Sequence, residues 1–209
     1  MSRALLATAA SLLVLLAAQP ALAGINIQNK CSFPLMVWAS SGSNPKSTYY
    51  LKPGAQQYLD FGRANLWPAG RIWASKSNNS DASRTTLVEF NIGGDMGNGR
   101  RQDFYDISLV RAYNHPVCVS PINPEKVDGL WCGSPSCSIR GLFDFCKAPN
   151  HLFGKDPACI NKDGPGTVPT AGTRTFKARC PKAFSYAADY ATSIYSCKWG
   201  TNYNVAFCF

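Results

Sequence analysis

Gln102-Asp103-Phe104-Tyr105-Asp106-Ile107-Ser108-Leu109-Val110 alternates in character with a period of two, not 3.6. Extended, it places Phe104, Asp106, Ser108 and Val110 on one face. Arg111 then falls on the opposite face unless the strand bends after Leu109-Val110, where a turn is expected. Working outward, Ile25 and Ile27 alternate with Asn26 and Gln28, and Phe33, Leu35 and Val37 share a parity after Cys31. Tyr58 to Phe61, Arg71 to Ser75, Leu87 to Asn91, Val117 to Val119 and Tyr203 to Phe207 are further short segments rich in aromatic and β-branched residues. Gly, Pro, Asn and Ser clusters separate them. Many short strands divided by turn signals predict a sandwich or barrel of antiparallel strands. No internal repeat is visible.

Composition narrows the classes. The 209 residues are 45% apolar and 16% charged, which excludes a solvated disordered chain. With 17 Gly and 14 Pro dispersed along it, the chain does not read as a long-helix protein. The one helical candidate runs from Thr173 to about Asp189, with Pro181 inside it as a break or restart.

Met1 to Ala23 has one early charge, Arg3, then an apolar stretch ending in Ala21-Leu22-Ala23, so 1–23 reads as a secretory signal peptide. No apolar run long enough to span a bilayer follows it. All nine cysteines lie beyond it, and export into an oxidising compartment makes disulfides their default state. No C-x2-C occurs and His115 and His151 are far apart, so neither a metal site nor a cofactor is expected. Nine is odd, which leaves at least one thiol over. Without Arg3 the whole-chain charge of +9 falls to +8. The basic residues are dispersed, which suits adhesion to anionic cell walls better than nucleic-acid binding. Asn78-Asn79-Ser80 is a sequon in a polar stretch, so Asn78 is a candidate glycosylation site.

Composition shifts near Trp131, and from there to Cys197 Gly, Pro, Lys and six cysteines replace regular alternation. The expected organisation is 24–130 with 198–209 as a β-sandwich and 131–197 as a disulfide-rich loop subdomain whose rigidity comes from cross-links. The last strand is expected to rejoin the first.

Gln102 to Val110, followed by Tyr113-Asn114-His115-Pro116, resembles the thaumatin-like family, the class-five pathogenesis-related proteins. Arg71-Ile72-Trp73-Ala74, Thr86-Leu87-Val88-Glu89-Phe90, Cys180-Pro181-Lys182-Ala183-Phe184-Ser185-Tyr186 with Asp189, and Asn202 to Cys208 agree in order. The resemblance implies a flattened antiparallel β-sandwich with a small disulfide-rich loop subdomain beside it and a cleft between them. It implies the pairs Cys31–Cys208, Cys132–Cys197, Cys137–Cys180 and Cys146–Cys159, with Cys118 as a free thiol. The family's cysteine-rich signature before the Glu-bearing strand is missing, Ser75 to Arg84 standing in its place. No cysteine lies between Cys159 and Cys180, so the chain resembles a reduced form of the family.

Carried over by motif, the family cleft comprises Arg71, Glu89, Asp106 and Asp189. Arg111 stands where a further Asp belongs. Such clefts imply binding, and sometimes weak cleavage, of β-1,3-glucan. Glycoside hydrolysis needs one protonated and one ionised carboxyl group. Glu89 and Asp106 are the candidate pair, with Glu89 expected as the acid; Arg111 would favour ionisation and weaken proton donation. Each residue also has a structural reading: Arg71 with Glu89 as a buried ion pair, Asp106 bonding loop amides, Asp189 capping a turn, Cys118 as an inert thiol, His115 as part of a turn. Trp38, Trp67, Trp73 and Tyr105 read first as core.

The expected function is that of a secreted, monomeric protein of the extracellular space or cell wall, binding β-glucan or another wall polysaccharide. The alternatives are an endo-β-1,3-glucanase using Glu89 and Asp106, and an enzyme inhibitor, membrane-perturbing antifungal or secreted effector that does not use the cleft. No serine or cysteine nucleophile motif is present. Gly93-Gly94-Asp95-Met96-Gly97-Asn98-Gly99 lacks the Lys-Ser/Thr of a phosphate loop and reads as a flexible turn.

Overall fold

The computed structural model describes residues 23–42, 46–125 and 131–209. The expected leader, but for Ala23, lies outside them. The chain opens with β1 (Gly24–Asn29), β2 (Leu35–Ser41), β3 (Ser47–Leu51) and β4 (Gln56–Asp60). Three long strands follow: β5 (Trp67–Ser75), β6 (Leu87–Asp95) and β7 (Arg101–Ser108). Then come β8 (Ala112–Tyr113), β9 (Val117–Ile122), β10 (Ser136–Cys137), α1 (Leu142–Phe145), β11 (His151–Leu152) and β12 (Ala158–Ile160). The chain finishes with α2 (Ala171–Arg179), β13 (Tyr195–Lys198) and β14 (Asn202–Phe207).

Two sheets carry the core. One has the order β10-β9-β14-β1-β4, the other β13-β7-β6-β5-β2-β3, and a small third sheet is β11-β12-β8. Alternation drives the packing. Ile25, Ile27, Val119, Val205 and Phe207 of the first sheet join Val37, Ile72, Val88 and Ile107 of the second in one buried cluster. Phe90, Tyr105 and Tyr203 bridge the layers, with ring centroids 5.1 to 6.0 Å apart. The last strand does rejoin the first: β14 pairs parallel to β1, Ile27 opposite Val205. No helix among the described residues is long and apolar enough to cross a membrane.

Four disulfides close the chain: Cys31–Cys208, Cys132–Cys197, Cys137–Cys180 and Cys146–Cys159. Cys118 is free and half-buried, and burial pushes its thiol up, away from the reactive thiolate.

Three local readings differ from the sequence expectation. The helix stops at Arg179 rather than near Asp189, because Cys180-Pro181 cannot continue it. Its start is set by a capping box between Thr170 and Thr173. Gly93 and Gly94 belong to β6, not to the turn beyond it. A bulge between Asn91 and Gly94 holds Gly93 at φ +69°, a left-handed conformation that favours glycine. Finally, the boundary expected at residue 197 cuts through β13, which pairs with β7 through Tyr195–Lys198.

Candidate functional site

Register and parity assemble the site. Arg71 on β5 lies opposite Glu89 on β6, and Glu89 lies opposite Asp106 on β7. Their neighbours Ile72, Val88 and Ile107 are fully buried against the other sheet. The row Arg71–Glu89–Asp106 therefore projects from the outer face, with adjacent Cβ atoms about 5 Å apart.

A groove of about 640 Å³ lies along this face. Its sheet wall adds Leu87 and Ser108 to the row, and the remainder comes from Ala82, Ser83, Val110, Arg111, Phe184, Ala187 and Tyr190. A second depression of about 360 Å³ shares Arg71, Glu89 and Asp106 and continues past Asn91, Phe104 and Ile194. The two meet at the row. From Leu87 to Asn91 the strand rise is about 13 Å, the span of a short oligosaccharide rather than a single ring. Trp38, Trp67 and Trp73 line neither depression; Phe184 and Tyr190 line the first, and Phe104 lines the second together with Phe90 and Tyr105, whose side chains are buried in the core.

The two carboxyl groups of the row sit in different surroundings. Arg71 Nε donates to Glu89 Oε1 at 3.2 Å, with the side chains 53% and 33% exposed. Such an open pair contributes about 0–1 kcal/mol, so it is neither the buried ion pair considered from sequence nor an important source of stability. Asp106 Oδ1 is shielded from water and accepts no hydrogen bond among the described residues. Burial, then the negative charge of Glu89, push the Asp106 carboxyl well above the usual range. Both effects favour the neutral acid at Asp106, while Glu89 stands beside the Arg71 guanidinium.

Arg111 does line the groove. β7 ends at Ser108, so strand parity no longer governs the chain three residues later. Its carbonyl accepts from Asn161 N at 2.8 Å, and its side chain is exposed and makes no ion pair among the described residues.

Asp189 does not join the row. It is buried, and its Oδ2 accepts from Ser185 N and Oγ, both at 2.9 Å, and meets Lys177 Nζ at 2.9 Å. It fixes the segment that presents Phe184, Ala187 and Tyr190 to the groove. Asn161 is the residue that sequence reasoning passed over. Buried, it donates through Nδ2 to Leu109 O at 2.9 Å and Ser185 O at 2.7 Å, tying the end of β7 to the same segment. Leu109 N and Phe184 N complete the join through bonds to Phe184 O and Ile107 O, each 2.8 Å. No cluster of three or more His, Cys, Asp or Glu among the described residues is arranged to hold a metal ion.

Residues 75–209 match the Thaumatin family. The chain is 32% identical to pathogenesis-related protein 5 of Arabidopsis thaliana, covering 87% of this chain and 88% of that one. It is 30% identical to thaumatin-like protein 1 of the same plant, over 89% and 86% of the two chains. Among solved structures, the protein elicitor MoHrip2 from Magnaporthe oryzae is 12% identical with a TM-score of 0.47, covering 90% of this chain and 99% of that one. With the family match running from the end of β5 to the final residue, and these plant relatives covering 87% and 89% of it, the chain belongs to the thaumatin family.

Proposed function

We propose that the protein is an exported, wall-associated polysaccharide-binding protein whose groove holds a β-1,3-glucan segment without cleaving it. One observation carries the reading: Glu89 and Asp106 stand side by side on one sheet face, and no other groove-lining residue is a carboxylate. Glycoside cleavage requires carboxyl groups flanking the scissile bond, whereas a row on one wall offers hydrogen bonds along one edge of a sugar chain. Phe104 and Tyr190 supply apolar faces on either side of that row. Export is supported by the leader-like residues 1–23 and by the four bridges, which belong to oxidising compartments. Asn78 is exposed and available for glycosylation there. The mature protein is expected to act as a monomer.

The test is co-sedimentation of the mature protein with insoluble β-1,3-glucan against a β-1,4-glucan control. Selective retention is expected. Equal partition onto both polymers, or onto neither, would overturn the reading.

A hydrolytic reading has one observation in its favour, the water-shielded Asp106 carboxyl, pushed toward its neutral form, directly opposite the exposed Glu89. In it, Asp106 would protonate the leaving oxygen and Glu89 would serve as base or nucleophile. Reducing-end release from soluble β-1,3-glucan that disappears in both Asp106→Asn and Glu89→Gln would establish it in place of simple binding.

A further inference from the structure

We propose that Arg111 forms an anion subsite in the groove, so that a wall polysaccharide carrying carboxylate groups is held there in preference to a neutral one. This rests on the polysaccharide reading above and narrows its ligand class.

The charge inventory of the groove is the starting point. Two guanidinium groups line it, Arg71 within the row and Arg111 beyond the end of β7. Arg71 is partly satisfied through its Nε contact with Glu89. Arg111 is exposed, lies beyond the end of β7, and has no acidic partner among the described residues. The carboxyl of Asp106, held toward its neutral form by burial and by Glu89, does little to offset it. With Asp106 held toward its neutral form, the lining leaves an excess of positive charge at Arg111.

A neutral sugar laid across Arg111 strips water from a cation and returns only hydroxyl contacts. A uronate carboxylate returns a charge-assisted, bidentate hydrogen bond that matches the planar guanidinium fork. The basic chain, with formal charge +9, also raises the local concentration of anionic polymer. The backbone of Arg111 is held by Asn161 N, so the subsite keeps a fixed place relative to the Glu89–Asp106 row.

The experiment compares soluble β-1,3-glucan with the same polymer oxidised at C6 to uronate, by calorimetric titration at low and high salt. The oxidised polymer is expected to bind about fivefold tighter at low salt, the preference shrinking as salt rises. Arg111→Gln should bring the ratio of affinities to about one, and Arg111→Asp should invert it. Arg100→Gln, on the exposed turn beyond β6, should leave the ratio unchanged. Equal binding of both polymers by the unmodified protein overturns the anion subsite and leaves the glucan reading standing. Binding of neither overturns both. Binding of the oxidised polymer alone supports the subsite and overturns recognition of neutral glucan, and a preference that survives Arg111→Gln assigns it to the general positive charge and overturns the subsite.

Discussion

Glu89 and Asp106 differ by one methylene and stand directly opposite each other, yet the fold asks different things of them. Glu89 faces Arg71 in the open, while Asp106 loses water at Oδ1 and gains a negative neighbour. Each effect favours the neutral acid at Asp106. Removing the neighbour's charge should therefore release part of the effect. In Glu89→Gln the Asp106 midpoint is expected to fall, because a like charge disappears and Arg71 loses its partner. A carboxyl carbon-13 NMR titration reads this directly. A midpoint that stays in place would mean that burial alone sets it and that the two carboxyls are not electrostatically joined.

At the level of elements, the outer row was readable in advance and the wall facing it was not. Alternation in Gln102 to Val110 and in Leu87 to Asn91 tells which residues share a face, and the family resemblance supplied Arg71, Glu89 and Asp106. Both signals are local. Asn161 has no such signal: it sits in a loop without periodicity and its amide reaches back 52 residues to Leu109 and forward 24 to Ser185. Asp189 matched a motif, but its orientation depends on Lys177 from α2, a contact that no pattern in 185–189 announces. The placement of Arg111 likewise depended on where β7 ends. Asn161→Ala leaves two buried carbonyls without their donor, which should cost about 2–4 kcal/mol. Urea unfolding measures that loss. Hydrogen exchange should accelerate first at the amides of Phe184 and Ala187, both hydrogen-bonded within this wall. Unchanged exchange there would show that the wall is held by Lys177–Asp189 and the disulfides without Asn161.

Across the whole molecule, covalent closure and two buried titratable groups shape stability. Cys31–Cys208 joins residues 177 apart, and on the chain-entropy model a loop of that size contributes about 5 kcal/mol. That contribution does not depend on pH over the mild range, so the pH profile is left to groups such as Asp103 and His115. Asp103 is fully buried, accepting from Gly93 N at 2.9 Å and Tyr203 Oη at 3.1 Å, and burial pushes it from 3.8 up to about 6. The folded chain holds this proton more tightly than the unfolded one. Its stabilisation is complete below the unfolded value and is lost as pH rises through about 6. His115 is pushed from 6.5 down to about 4 by burial and then by Lys76, with Asp156 opposing. Its contribution is present above the unfolded value and is lost as pH falls toward about 4. The two effects, each on the order of 2–3 kcal/mol, run in opposite directions over the same interval. Single variants should separate them. Relative to the unmodified protein, Asp103→Asn is expected to gain stability as pH rises from about 4 to about 7, and His115→Gln to gain it as pH falls across that range. Urea unfolding free energies at several pH values decide the matter, and the slopes answer independently of any constant cost of either substitution. Parallel profiles for all three proteins would show that neither group changes protonation between the folded and unfolded chain in this interval.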